Sequence, residues 1–141
     1  MITRVADGWV YFALMAVYLL ARTSAALLVL PAFTAAYLLE TGTYFLIKNN
    51  VKRVRPFKKI EGITSLVIPP DEFSFPSGHT AAATVFAVIC SSSFPGSGPL
   101  MYSYAAIVGF SRIYNGVHYP GDIFAGAALG AVSAKTALVF F

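Results

Sequence analysis

Charged residues are scarce in this sequence. They make up 11% of its 141 residues, whereas soluble domains usually contain about 25%. Hydrophobic residues make up 57%, and the mean hydropathy is +0.71. One soluble domain has too small an interior to bury this much apolar surface. The composition therefore excludes an ordinary soluble protein and predicts a single membrane-embedded domain over residues 1–141.

Cysteine and histidine are also rare. Cys90 is the one cysteine, so an intrachain disulfide is excluded and the residue is interpreted as a packed side chain in a helix. The histidines number two, His79 and His118. No cluster of Asp, Glu and His has a spacing typical of metal ligands. We therefore expect neither a metal nor another cofactor.

Long polar stretches are few, and five apolar runs are predicted as transmembrane helices. They cover approximately residues 8–21, 25–47, 79–91, 100–113 and 120–141. Backbone polar groups inside a membrane must pair within the protein. The fold class expected is therefore an all-α integral membrane bundle of about five transmembrane helices, each of which needs about 20 residues to span fully. Gly126 and Gly130 have the small-xxx-small spacing of closely packed helices.

Two polar segments fall on the same side of this predicted bundle. Segment 48–78 joins the second helix to the third, and segment 114–119 joins the fourth to the fifth. Because each helix carries the chain across the membrane once, both segments emerge at one membrane face. Side chains that are far apart in sequence are therefore expected to form one site there.

Six basic residues fall within twelve positions and dominate the net charge of +4. They are Lys48, Lys52, Arg53, Arg55, Lys58 and Lys59. Such a cluster suits nucleic acid, anionic lipid head groups or a phosphorylated substrate, but the flanking apolar helices disfavour nucleic acid. The partners expected are a lipid phosphate and the bilayer. Apart from Lys48 and Arg55, the cluster is interpreted as a solvated or lipid-facing basic patch, and Glu61, Asp71 and Glu72 as solvated loop charges.

Three motifs carry a resemblance to a known family. They are Lys48 with Arg55-Pro56 after six residues, then Pro76-Ser77-Gly78-His79, and then Ser111-Arg112 with His118 and Asp122 after five and three residues. Together they resemble the signature of the type 2 phosphatidic acid phosphatase family, which shares its site with vanadium haloperoxidases. All eleven signature positions match in the same order, and the chain is similar to short bacterial members.

The resemblance implies a role for each motif residue. His118 would be the nucleophile that forms a phosphohistidine, Asp122 would orient it, and His79 would be the acid and base. The residues implied in phosphate binding are Lys48, Arg55, Ser77, Gly78 and Arg112. The chemistry of these groups agrees with the roles, because phosphoryl transfer needs positioned cations and amide donors and helix N-termini bind anions.

The function expected is hydrolysis of a phosphate monoester or diphosphate of a lipid by a metal-independent membrane phosphatase. The resemblance implies phosphatidic acid, phosphatidylglycerophosphate and polyprenyl diphosphates as candidate substrates. Two alternatives stay open at this point. A vanadate-dependent haloperoxidase shares the motif residues but is soluble and larger. A non-enzymatic lipid-binding membrane protein would be expected to have lost a motif histidine or arginine.

The location expected is the cell membrane, with several crossings. Two arguments about the sidedness of the site conflict. Resemblance to bacterial members places it on the extracytoplasmic face, whereas counting Arg4 and the basic patch against Arg22 and Lys135 places it in the cytoplasm. We adopt the extracytoplasmic face, because a basic loop that binds anionic lipid head groups biases the count.

Overall fold

The computed structural model describes Ala13 and residues 23–141, and these residues form helices without a β-strand. An isolated bridge joins Val54 to Phe73. The helices are α1 (Thr23–Val51), α2 (Pro56–Lys59), α3 (Gly78–Ser93), α4 (Gly98–Tyr114) and α5 (Pro120–Phe140). The all-helical prediction is confirmed for this part of the chain. The helix predicted at 8–21 lies, apart from Ala13, outside the described residues.

Helix α1 is longer than its apolar run. It has 29 residues and continues through Pro31 and past the predicted end at Ile47. Lys48 therefore lies in the last turn of α1 and not in the polar connection. The partial negative charge of a helix C-terminus favours a cation at this position. The helix ends where Lys52 takes a positive φ of 47°.

Helix α3 packs against α1, α4 and α5 and is the central helix of the described bundle. Ser77 is its N-cap, as predicted, and the Ser77 Oγ accepts a hydrogen bond of 3.4 Å from the Thr80 amide. The α3 side chains with no exposed surface are small or branched: Ala81, Ala83, Val85, Ala87 and Ile89. Their size lets three neighbouring helices approach closely.

Two glycines of α5 permit its close contact with α3. A Cβ atom at Gly126 would overlap the Ser77 carbonyl oxygen, and one at Gly130 would overlap the Ala81 carbonyl oxygen. The pair predicted from small-xxx-small spacing thus packs against the α3 backbone. The same contact joins two helix N-termini, because the Ser77 amide donates to the Asp122 carbonyl oxygen at 3.0 Å.

The outer surface of the described helices is rich in apolar side chains. Large exposed ones on α1, α4 and α5 include Leu38, Leu46, Ile107, Phe110, Phe124, Val132 and Val139. Among the described residues, the helix Pro120–Phe140 alone is long and apolar enough to cross a membrane. Helices α3 and α4 have 16 and 17 residues. That is about 25 Å, below the roughly 30 Å of a bilayer core. Five crossings therefore stay a prediction.

Candidate active site

Three helices and two connecting segments surround a cavity of about 350 Å³. The C-terminal half of α1, the N-terminal end of α3, the C-terminal end of α4 and the segments before α3 and before α5 contribute to its wall. The lining residues are Tyr37, Glu40, Thr41, Tyr44, Phe45, Lys48, Arg55, Pro70, Asp71, Gly78, His79, Ala82, Arg112 and His118. The fold thus brings both histidines and three cations of the motifs into one place.

His118 is buried in the segment between α4 and α5. Its Nδ1 atom lies 3.6 Å from Asp122 Oδ2, an ion-pair distance longer than a hydrogen bond, and its Nε2 atom lies 3.4 Å from Arg55 Nη1. Burial lowers the pKa of His118 below its ordinary value; Asp122 opposes this, while the charges of Arg55 and Arg112 add to it. The net effect favours the neutral imidazole, which is the form in which a histidine can act as a nucleophile.

Asp122 has no exposed surface and is held from two sides. Its Oδ2 accepts a hydrogen bond of 2.8 Å from the Tyr119 amide, as an acid at the third position of a helix does. Its Oδ1 accepts from Arg53 Nη1 at 2.9 Å, and the Arg53 guanidinium lies 4.1 Å from the centre of the Tyr119 ring. The side chain of Arg53 is 42% exposed, in agreement with its interpretation as part of a solvated patch, but its cation also pairs with a buried carboxylate, which that interpretation missed.

Arg55 lies between α1 and α2 with 1% of its surface exposed. Its backbone is extended, with φ −69° and ψ 151°, as expected for a residue before proline. The guanidinium points into the bundle, where Nη1 donates to the Val117 carbonyl at 2.9 Å and Nε to the Asp71 carbonyl at 3.2 Å. Nη2 forms an ion pair with Asp71 Oδ1. These contacts fix Arg55 beside the imidazole of His118.

Asp71 binds both cations of the first motif. Its Oδ2 accepts hydrogen bonds from the Tyr44 hydroxyl at 2.8 Å and from Lys48 Nζ at 2.9 Å, and its Oδ1 pairs with Arg55. Burial raises the pKa of Asp71, but the hydrogen bonds from Lys48 and Tyr44 outweigh burial and leave the pKa below its ordinary value. The interpretation of Asp71 as a solvated loop charge is therefore wrong, whereas the neighbouring Glu72 is exposed.

The first turn of α3 borders the cavity through Gly78 and His79. A Cβ atom at Gly78 would lie 2.9 Å from Tyr44 Cε2, so glycine lets this turn approach α1. Ser77 is fully buried behind it, with its amide bonded to the α5 backbone and its hydroxyl 2.9 Å from that of Thr80. The structure uses Ser77 as a helix cap, and its part in phosphate binding stays a prediction.

Arg112 borders the cavity from the last turn of α4, where it is buried. Ser111, the motif residue beside it, donates its hydroxyl proton to the Val108 carbonyl at 2.7 Å and does not line the cavity. Of the predicted catalytic and phosphate-binding residues, all except Ser77 and Asp122 line the cavity. Ser77 directly precedes Gly78, and Asp122 lies next to His118, and both Gly78 and His118 line the cavity.

Residues 25–141 match the family model of the PAP2 superfamily. This chain is a member of the PAP2 superfamily. The match contains all three motifs and all the helices that form the cavity, so the resemblance drawn from the motifs is confirmed.

Relatives of this PAP2 chain are found both among solved structures and among curated sequences. LpxE from Aquifex aeolicus is similar over 98% of this chain and 81% of that protein, with a TM-score of 0.86 and 29% identity. A transmembrane PAP2 type phosphatidylglycerolphosphate phosphatase from Bacillus subtilis is similar over 99% and 72%, with a TM-score of 0.73 and 27% identity. Decaprenylphosphoryl-5-phosphoribose phosphatase from Mycobacterium tuberculosis is 34% identical over 125 residues, or 88% of this chain and 66% of that protein. The chain spans less than two thirds of the length of the curated relatives it matches.

Tyr44, Arg53 and Asp71 lie outside the motifs of this PAP2 site but bind charged side chains of the motifs. Tyr44 precedes Lys48 by four positions, a helical spacing that places both on one face of α1. Arg53 and Asp71 carry no comparable signal. Their partners Asp122 and Arg55 lie 69 and 16 positions away in sequence, and only the folded chain brings them together.

Proposed function

We propose that this chain is a membrane-embedded lipid phosphatase that acts through a phosphohistidine on His118. The observation that carries the proposal is the arrangement around His118. A buried imidazole lies between Asp122 and Arg55 and shares its cavity with His79 and Arg112. A phosphorylated head group suits this cavity, because phosphoryl transfer depends on positioning and on cations around the equatorial oxygens.

The first chemical step transfers the phosphoryl group to His118. Its Nε2 lone pair forms a bond to phosphorus while the bond between phosphorus and the lipid oxygen breaks, and His79 donates a proton to the departing oxygen. Asp122 balances the positive charge that develops on the imidazole. In the second step His79 takes a proton from water, the water oxygen bonds to phosphorus, and the P–N bond breaks. Neutral His118 and inorganic phosphate result.

The substrates proposed are lipids with a phosphate monoester or diphosphate, such as phosphatidic acid, phosphatidylglycerophosphate and polyprenyl diphosphates. The relatives named for phosphatidylglycerolphosphate and for decaprenylphosphoryl-5-phosphoribose support a lipid substrate. The composition of the cavity wall supports it too, because Tyr37, Phe45 and Ala82 line the cavity together with the motif cations. Such a wall contacts both the phosphate and the apolar part of a lipid.

The setting proposed is the cell membrane, with residues 1–141 as one phosphatase domain that crosses it several times. The exposed apolar side chains of α1, α4 and α5 support a lipid environment, as does the likeness to a transmembrane protein. The cavity would then lie near the extracytoplasmic interface, within reach of lipid head groups.

Phosphate release by the purified protein tests the proposal. Vesicles containing phosphatidic acid, phosphatidylglycerophosphate or undecaprenyl diphosphate are assayed with EDTA present. We expect hydrolysis to continue with the chelator and to be inhibited by vanadate, a mimic of trigonal-bipyramidal phosphorus. His118→Ala removes the nucleophile and should lower the rate by at least about a thousandfold, whereas the exposed-loop variant Glu61→Gln should keep it.

Two results would count against the phosphohistidine mechanism. One is an absolute requirement for Mg²⁺, and the other is undiminished phosphate release by His118→Ala. Oxidation of bromide by peroxide in the presence of vanadate, without phosphate release from any lipid, would favour the haloperoxidase alternative.

A further inference from the structure

The carboxylate of Asp71 is paired with two of the cations proposed to bind the substrate phosphate, Lys48 and Arg55. It accepts from Tyr44, Lys48 and Arg55, and its backbone carbonyl accepts from Arg55 Nε. The carboxylate borders the cavity together with both cations. Two of the three motif cations are therefore already paired with an anion that belongs to the chain itself.

Counting the donors of Arg55 shows how complete this pairing is. A guanidinium has five N–H groups. In the structure they face the Asp71 carbonyl, the Val117 carbonyl, His118 Nε2 and Asp71 Oδ1, which leaves one of the five. A phosphate that binds Arg55 through two oxygens, the geometry that arginine favours, has to take over the donor now held by the Asp71 carboxylate.

We propose that Asp71 is an internal competitor for the phosphate-binding cations and so distinguishes the lipid substrate from the product, inorganic phosphate. The inference rests on the proposed function. A lipid ester offsets the competition by burying its apolar part against the cavity wall. Inorganic phosphate has no apolar part, so it competes with Asp71 for Lys48 and Arg55 through its charge alone. When Asp71 pairs again with these cations, it promotes release of the product.

The surroundings of Asp71 give its side chain a place to move. It stands between the active-site cavity and a second cavity, of about 560 Å³, lined by Lys58 and by residues 65–69. Its own side chain is 34% exposed, unlike the deeply buried side chains of Lys48 and Arg55. On this proposal a phosphate displaces Asp71 toward the second cavity and leaves Lys48 and Arg55 in place. Lys58 lines that cavity and offers a second cation, which now lies 3.8 Å from Glu72 Oε1.

Neutralising Asp71 tests the proposal. Inorganic phosphate is the probe, measured as a product inhibitor of lipid hydrolysis and, without turnover, by the rise it causes in the unfolding temperature. Asp71→Asn should tighten phosphate binding by about tenfold or more, because one negative charge beside the site is lost. With the lipid, KM and kcat should both fall, because substrate and product are held more tightly. Asp71→Glu keeps the charge and should stay close to wild type.

The matched control is Glu61→Gln, which removes the same charge from an exposed residue of the same connecting segment and should leave phosphate binding unchanged. Asp71→Ser gives a second neutral variant if Asp71→Asn does not fold. Phosphate binding that is weaker or unchanged in the neutral variants would overturn the proposal, because Asp71 would then only support the cations. Tighter binding without any hydrolysis by the wild type would uphold the competition and refute the phosphatase function instead.

Discussion

Arg53 gives the buried Asp122 carboxylate its balancing charge. One oxygen of Asp122 bonds the Tyr119 amide and the other bonds Arg53, so the carboxylate is fixed in the orientation that faces His118 Nδ1. An orienting acid works only while its own position is fixed. We therefore assign Arg53 a positioning role that acts on the nucleophile through Asp122.

Replacing Arg53 should affect both the rate and its pH dependence. Arg53→Gln should lower kcat by about tenfold or more, since a charge-assisted hydrogen bond is lost. The pKa of His118, now depressed by burial and by Arg55 and Arg112, should rise once the Asp122 charge is less balanced. His118 must be neutral to attack, so the acidic limb of kcat/KM should move to higher pH.

The control for this prediction is Lys52→Gln, which removes a neighbouring exposed cation with no contact to Asp122. Arg53→Lys retains the charge and should recover part of the rate and most of the pH profile. A lowered rate with an unshifted acidic limb would mean that Arg53 only stabilises the fold.

At the scale of the helices, the α3–α5 contact sets the geometry of the site. Gly126 lies one turn after Asp122, and its missing side chain is what lets α5 touch the α3 backbone at Ser77. Gly126→Ala should push the two helices apart. We expect a loss of about 1–3 kcal/mol in the free energy of unfolding and a fall in kcat of about tenfold to a hundredfold, because the nucleophile is displaced.

Denaturant unfolding and lipid hydrolysis measure the two effects in parallel. Gly42→Ala is the matched control, because it is also a change within a helix but meets no atom within 4 Å. That control should be neutral or slightly stabilising. A Gly126→Ala protein with wild-type stability and rate would show that the close approach of α5 does not position His118.

The sequence predicts the helices and motifs well and the polar pairings poorly, for physical reasons. Apolar runs mark the helices, but hydropathy ends α1 at Ile47, whereas the helix continues to Val51. Its last turn is polar because it reaches the site. Motif spacing identifies His79, His118 and the three cations, because their chemistry depends on residue type. The ion pairs of Arg53 and Asp71 are visible only in the folded structure, because the sequence does not show which residue a charged side chain pairs with.

Over the whole molecule, the decisive question is the membrane side on which the cavity opens. We expect the extracytoplasmic side. In a Cys90→Ala background, a single cysteine at Glu61, in the exposed segment on the cavity side, should react with a membrane-impermeant thiol reagent on intact cells. One at Ser92, near the opposite end of α3, should react only after permeabilisation. The reverse pattern would place the site in the cytoplasm, as the distribution of basic residues indicates.

The hydrogen bond from the Ser77 amide to the Asp122 carbonyl has a consequence for how the proposed phosphatase would bind its substrate. It couples the helix terminus next to His79 with the helix that orients His118, so the acid and the nucleophile keep their separation when the opposite wall moves. On the proposal made for Asp71, the wall that holds it moves when a head group binds, while the wall with His79 and His118 keeps its arrangement. The catalytic groups are therefore arranged when the chain folds, and no free energy of substrate binding is needed to arrange them.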